Sequence, residues 1–284
     1  MVCATFLATV TACCASPTKP SLGTTAGSWS NEPRGFAAVT DHPWSSVTGG
    51  AWNRRPSPHD RITTDDTAPQ SPSDVLEYVY PAGFTGGSAP ATHYFPLENR
   101  KDIFIGLLWK VSDRWQGHAS EVNKIQFIYL HGPADVAMVM HGATGGPYEI
   151  RVLPQWPEHT ASWLTPNVTN RSVTLGQWHR VEWYLKYESQ YGAGDGIIRW
   201  WLDGALLGDY TNVRYPNDAG FVEYQMSPTW GGIGDTKRRA DFFRFDHTYI
   251  SAPSGAAALR PAAGSTLILR TATANASSVY NISE

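Results

Sequence analysis

The sequence predicts an all-β fold in which two antiparallel sheets pack against each other. Between Val75 and Ser251, strand-like segments follow one another with Gly, Pro, Asn or Asp between them. Aromatic residues make up 12% of the chain and charged residues only 17%, a balance that favours strands over helices. The only helical candidate is a turn or two within residues 112–120. Strands with one apolar face imply a two-layered sandwich and not a parallel α/β sheet.

The N-terminal segment predicts an exported protein. All three cysteines, Cys3, Cys13 and Cys14, lie within residues 1–14, so the folded remainder is predicted to contain neither a disulfide nor a cysteine metal site. Val2–Ala12 is mostly small and apolar and is too short to span a membrane. The residues before Cys13 resemble a bacterial lipobox, in which the cysteine is acylated. The segment therefore predicts a cell-surface lipoprotein anchored through Cys13 or a secreted protein, and a cytosolic chain is the remaining alternative.

Composition divides the rest of the chain. Residues 15–27 are small, polar and proline-containing, which is typical of a flexible tether. Residues 28–252 are the predicted sandwich, with a first strand at 35–40 and a long ordered loop over 41–74. Residues 253–284 are rich in Ala, Ser and Thr and are predicted to be a C-terminal tail or a linker.

The later strands are predicted from their apolar patterns. Residues 103–111 are apolar on both faces, which indicates a central strand. Residues 179–187 and 197–203 alternate between apolar and polar side chains, and the glycine-rich run 192–196 between them predicts a hairpin. The strands predicted after the long loop are 75–80, 92–96, 103–111, 124–130, 136–141, 148–153, 179–187, 197–203, 205–210, 222–227 and 241–251.

Three segments carry a resemblance to a known superfamily. They are GQWHRVE at 176–182, DGIIRWWLDG at 195–204 and DFFRFDHTYIS at 241–251. Together they resemble the C-terminal half of concanavalin A-like lectin/glucanase domains, and they are most similar to heparin-lyase-like and alginate-lyase-like polysaccharide lyases. The resemblance implies a jelly-roll sandwich over residues 28–252 and a polysaccharide partner. It also implies that Trp178 lies in the core.

Each class of polysaccharide-cleaving enzyme requires its own set of catalytic side chains. A glycosidase on this fold needs two carboxylates at close range, and no such cluster occurs on one predicted strand. A lyase must neutralise a uronate carboxylate, remove the adjacent ring proton and protonate the leaving oxygen. Arg, Lys, His, Gln and Tyr can supply these functions. If the protein is a lyase, the catalytic candidates are Lys124, Gln126, Tyr129, His131 and Arg199.

The matching segments do not decide between cleavage and binding. Alginate-lyase-like enzymes carry R-x-E-x-R and Q-[IV]-H, and this chain has neither motif, while residues 184–191 only loosely match Y-x-K-x-G-x-Y-x-Q. Sugar rings stack on aromatic planes while polar groups bind their hydroxyls. The substrate-binding candidates on this basis are Arg180, Tyr184, Lys186 and Trp201. The alternatives are a solvated face with charge pairs across strands and a buried hydrogen-bonded pair at Tyr129 and His131.

The sequence is compatible with three functions. The first is a glycan-binding module outside the cell, the second a lyase acting on a uronic-acid polymer, and the third a structural surface or filament subunit that self-assembles. The net charge of −3 argues against nucleic acid as a partner, and a membrane would be contacted only through the lipid anchor. No cofactor is predicted; a structural Ca²⁺ is left open, with Asp41, Asp203 and Asp246 as donors.

Overall fold

The computed structural model describes residues 29–156 and 162–255, and these contain strands and turns but no helix. The strands are β1 (Phe36–His42), β2 (Asn53–Arg55), β3 (Asp60–Thr63), β4 (Val75–Tyr80), β5 (Thr92–Arg100), β6 (Asp102–Val111), β7 (Val122–Leu130), β8 (Asp135–His141), β9 (Glu149–Gln155), β10 (Trp178–Lys186), β11 (Gly196–Leu202), β12 (Ala205–Val213), β13 (Phe221–Met226) and β14 (Asp241–Pro253).

The strands form two antiparallel sheets, which confirms the predicted jelly-roll sandwich. The eight-stranded sheet has the order β12-β11-β10-β6-β14-β4-β3, and β1 also pairs with β14. The six-stranded sheet has the order β2-β5-β13-β7-β8-β9. The central strand predicted at 103–111 is confirmed, because β6 lies between β10 and β14. Each sheet contains strands that are distant in sequence, as expected for chain crossovers between two layers.

Two local predictions were wrong. Residues 112–120 contain no helix, because this segment is bound to its neighbours: Trp115 stacks on Phe243 at 4.5 Å between ring centroids, and the Gln116 amide donates to Asp241. The predicted loop over 41–74 includes the short strands β2 and β3.

The main core lies between the sheets. It contains the apolar side chains of β10 and β11 that alternate toward the other sheet, including Val181, Trp183, Trp200 and Leu202. All four are fully buried. Trp178 is buried, as the resemblance implies, and it packs in a second core cluster on the outer face of the eight-stranded sheet.

A segment that we name the strap, residues 29–35, lies over part of that outer face. Trp29 packs directly on Gly106, where an added Cβ would be 2.4 Å from the indole ring. Asn31 donates both its backbone and side-chain N–H groups to the buried carboxylate of Glu182, at 3.2 and 2.6 Å. A small residue at 106 is therefore required for the strap to lie on the sheet.

Several predictions fall outside the described residues. They are the signal and lipidation site in residues 1–14, the tether at 15–27 and the part of the C-terminal tail at 256–284. Within 29–156 and 162–255 there is no helix with the length and apolarity needed to cross a membrane.

Candidate functional site

The nine candidate residues divide between the two sheets. β10 and β11 of the eight-stranded sheet carry Arg180, Tyr184, Lys186, Arg199 and Trp201, whereas β7 of the six-stranded sheet carries Lys124, Gln126 and Tyr129, and His131 follows β7. The two sheets are the opposite layers of the sandwich. The candidates on β10 and β11 therefore do not share a surface with those on β7.

The outer face at β10 and β11 is partly covered. Tyr184 is only 9% exposed and has Phe36 edge-on at 6.2 Å, and the half-buried Trp201 packs against the same cluster. Arg180 donates to Ser30 of the strap at 2.7 Å. Tyr184 is thus not an open stacking surface for a sugar.

The charges on this face are already paired. Arg199 Nε donates to Asp209 at 2.5 Å, and Arg180 Nε lies 3.3 Å from Glu182. Only Lys186 among these candidates is exposed. This part of the sheet is therefore better described as a face with ion pairs across and along its strands, the alternative given above, than as an open glycan-binding site.

The outer face of the six-stranded sheet is organised in rows set by strand register. One row crosses four neighbouring strands and contains polar side chains throughout: Glu223 on β13, Tyr129 on β7, Asp135 on β8 and Gln155 on β9. Directly paired residues on one face of antiparallel strands have Cβ atoms about 5 Å apart. The register therefore brings these groups together although they are distant in sequence.

Lys124 extends over this face toward the row. Its Nζ lies 3.4 Å from Gln155 Oε1 and 5.2 Å from the centre of the Phe127 ring. Burial lowers the pKa of Lys124, and the nearby Asp135 carboxylate opposes that shift. The ammonium is thus held over an aromatic ring and beside an amide oxygen and a carboxylate.

Asp135 is a half-buried carboxyl group with unsatisfied hydrogen-bonding capacity. Burial raises its pKa to about 6, and Lys124 acts in the opposite direction. Its Oδ1 has no hydrogen-bond partner among the described residues. This oxygen is itself buried. A half-buried carboxyl group with a pKa of about 6 is a candidate for proton exchange with a ligand.

Tyr129 completes what we name the central cluster, Lys124, Tyr129 and Asp135. Burial raises the pKa of the Tyr129 phenol, and Asp135 and Glu223 raise it further. The phenol is therefore protonated at neutral pH. Its half-buried ring lies 5.9 Å from the buried Phe127 with an interplanar angle of 25°, so Phe127 packs against the ring that carries the proton donor.

Two other candidates on the same sheet are placed differently from their predicted roles. A bulge between Lys124 and Gln126 turns Gln126 toward the core, where it is fully buried and its amide nitrogen lies 3.1 Å from Met138 Sδ. His131 is exposed in the turn after β7 and bonds Asn99 at 2.7 Å. Gln126 is thus inaccessible to a substrate, and the predicted buried pair of Tyr129 and His131 does not occur.

A cavity of about 370 Å³, the side pocket, opens at the other end of β7, β8 and β9. Its charged and imidazole groups are Glu121, His141, Glu149 and Arg151. Arg151 on β9 pairs with Val139 on β8, and Val139 in turn pairs with Lys124 on β7. The side pocket and the central cluster therefore belong to one continuous face.

The predicted calcium donors do not meet. Asp41 pairs with His247, Asp203 accepts from His179 and the Arg180 amide, and Asp246 accepts from the Gln70 and Ser71 amides. Within the described parts of the chain, no group of three or more His, Cys, Asp or Glu residues is placed to hold a metal ion.

No protein-family model and no curated protein matches the chain. Solved structures do match. An alginate lyase variant in complex with an alginate trisaccharide has a TM-score of 0.56 at 12% identity, covering 75% of this chain and 97% of that one. An alginate lyase from Chlorella virus has a TM-score of 0.51 at 16% identity, covering 75% and 99%. An endo-β-1,4-glucuronan lyase from Trichoderma reesei has a TM-score of 0.50 at 14% identity, covering 76% and 96%. The chain thus has the concanavalin A-like jelly-roll fold that is found in these polysaccharide lyases.

Proposed function

We propose that the protein is a polysaccharide lyase that cleaves a uronic-acid polymer by β-elimination on the outer face of the six-stranded sheet. The observation that carries this proposal is the central cluster, which joins a cation, a carboxyl group titrating near neutrality and a protonated phenol on one face. The likeness in fold to a lyase in complex with an alginate trisaccharide supports a glycan as the ligand of this protein.

Each member of the cluster has a separate task in the reaction. The Lys124 ammonium binds and neutralises the uronate carboxylate, which makes the adjacent ring proton more acidic. Asp135 in its ionised form accepts that proton, since a base with a pKa near the operating pH is the most effective. The electron pair forms a C=C bond, the C–O bond to the next sugar breaks, and the leaving oxygen takes a proton from Tyr129.

The direct test is the ultraviolet absorbance of the unsaturated product. Purified protein is mixed with alginate, glucuronan and heparin, and the wild type is compared with Lys124→Met. Lys101→Met is the matched control, because Lys101 is an exposed lysine in the turn between β5 and β6. We expect absorbance to rise with the wild type and the control but not with Lys124→Met. A wild type that leaves every uronate polymer uncleaved contradicts the proposal.

Glycan binding without cleavage is the second candidate, and it is favoured by the half-buried Tyr129 ring and the Lys124 ammonium on the same face. Affinity electrophoresis in polysaccharide gels distinguishes it: retarded migration without product supports binding alone.

Self-assembly is the third candidate. Residues Phe36–His42 are already paired with β14 of the same chain, so this segment is not free to join a neighbour's sheet.

A further inference from the structure

The side pocket differs in charge from the central cluster. It is lined by Glu121, His141, Glu149 and Arg151 together with Asn170 and Ser172 and the backbone of the turn around Gly146–Pro147. Along an antiparallel strand each residue advances about 3.4 Å. Val122, which pairs with His141 at the pocket, is two positions from Lys124. A chain bound over the central cluster would therefore reach the side pocket.

The single arginine of the pocket is already neutralised. Arg151 Nε donates to Glu149 Oε1 at 2.5 Å, and Arg151 Nη1 lies 3.3 Å from His141 Nε2. Because Glu149 offsets the charge of the guanidinium, Arg151 binds a further carboxylate or sulfate less strongly than an unpaired arginine would. A uronate in this pocket would lack a cation of its own.

The remaining charge of the pocket is negative. Burial, followed by the charge of Arg151, lowers the pKa of His141, so its imidazole is neutral at pH 7. Among the described residues Glu121 is paired with that imidazole alone, with 3.6 Å between Glu121 Oε2 and His141 Nδ1. Glu121 and Glu149 thus face one arginine, which leaves an excess of one negative charge.

An aromatic ring completes the wall beside the pocket. Trp163 is half-buried and lies edge-on to His141, with 5.3 Å between ring centroids. Aromatic rings and hydrogen-bonding amides are the groups that bind uncharged sugar rings. The ring thus lies behind His141, and the pocket itself is lined by Asn170 and Ser172.

We propose that the side pocket binds an uncharged or amine-bearing sugar residue, so that the polymer recognised by this protein combines uronate with such a residue and is not a homopolymer of uronate. This inference rests on the proposed function, which places a uronate at Lys124. Repulsion from Glu121 excludes a second carboxylate from the side pocket. The Asn170 amide and the Ser172 hydroxyl are hydrogen-bond partners for the hydroxyl and acetamido groups of a sugar.

The test compares two classes of unsulfated substrate. Hyaluronan and heparosan alternate glucuronate with N-acetylhexosamine, whereas glucuronan and alginate contain uronate only. We expect the wild type to have a higher kcat/KM on the alternating polymers. Glu121→Gln should raise kcat/KM on the uronate homopolymers about threefold relative to the alternating ones, as expected for one half-exposed charge.

The control and a binding measurement keep this inference separate from the proposed function. Glu98→Gln removes an exposed carboxylate at the far end of the sheet and should leave the ratio unchanged. The Tyr129→Phe variant keeps the Lys124 ammonium and lacks the proposed proton donor, so its affinities for uncleaved oligosaccharides give the preference even if no polymer is cleaved. Equal or tighter binding of homopolymeric uronate, or a ratio that Glu121→Gln does not change, overturns the inference.

Discussion

The two outer faces of the sandwich are built from similar residues but differ in what remains available to a ligand. On the eight-stranded sheet, Arg180 and Glu182 are bound by the strap, and Arg199 is paired with Asp209. On the six-stranded sheet, Lys124 and Asp135 are half-buried and form no close ion pair within the described residues, where the buried Asp135 Oδ1 also has no hydrogen-bond partner. A face with perturbed and incompletely paired groups is the better candidate for chemistry, and residue type alone does not reveal it.

The largest effect is expected when the central cluster loses its proton donor. Tyr129→Phe keeps the ring and removes the hydroxyl, and we expect product formation to fall by about 10²- to 10⁴-fold, the usual contribution of general acid catalysis. Tyr191→Phe is the control, because Tyr191 is 63% exposed beyond β10 on the other sheet. Product absorbance measures both. Equal rates in the two variants would remove Tyr129 from the mechanism.

The fold could be predicted from sequence because it depends on a repeated local signal. Alternation with a period of two identifies a half-buried strand wherever it occurs. The run Val181, Trp183 and Leu185 therefore predicted one buried face of β10, and the structure buries all three between the sheets. Strands β2 and β3 were missed because they are three and four residues long, too short to show a period.

The site depended on features that a period of two does not contain. Strict alternation places Lys124 and Gln126 on the same face, but the bulge between them turns Gln126 inward and brings Phe127 and Tyr129 outward. Asp135 begins β8 just after a Gly-Pro turn, so it resembles an ordinary turn residue. Its importance follows from its pairing with Tyr129, which no local pattern indicates.

The second effect is a change in pH dependence on removing Asp135. Its folded pKa of about 6 means that the carboxylate form, the proposed base, is populated as pH rises through about 6. Wild-type activity should therefore increase across that range. Asp135→Asn should lose about 10²-fold or more in rate and also lose this titration. If the rate of Asp135→Asn still rises with pH as the wild-type rate does, the titrating group is not Asp135.

Stability provides an independent readout of the same carboxyl group. A carboxyl whose pKa is raised by folding binds its proton more tightly in the folded state, so its contribution to stability is largest below the unfolded pKa of 3.8. That contribution is lost as pH rises toward about 6. The free energy of unfolding of Asp135→Asn relative to wild type should consequently increase between these two pH values, as measured by denaturant titration.

The third effect concerns the strap and should leave the six-stranded sheet unaffected. Trp29→Ala removes a buried indole from the outer face of the eight-stranded sheet and should cost about 3 kcal/mol of unfolding free energy. Gly106→Ala should displace the same indole, because the new Cβ would lie 2.4 Å from it. The double variant should then be less destabilised than the sum of the two single variants.

Activity distinguishes a covering role for the strap from a catalytic one. If the two faces are independent, Trp29→Ala measured well below its unfolding temperature retains the product formation of the wild type. A large loss of activity in the folded variant would mean that the eight-stranded face takes part in the reaction.

The smallest effect is expected at the paired charges of the eight-stranded face. Arg199 and Asp209 have about a third of their side chains exposed, at 32% and 29%, and such ion pairs contribute less than about 1 kcal/mol. Arg199→Gln and Lys186→Met should therefore change neither product formation nor glycan migration, and should lower the free energy of unfolding by less than that amount. Lys186→Met removes the same ammonium group as Lys124→Met, so the comparison of these two variants holds chemistry and charge loss constant and varies only the face. Activity that falls in Arg199→Gln as far as in Lys124→Met would return the catalytic site to the hairpin of β10 and β11 and make the six-stranded face structural.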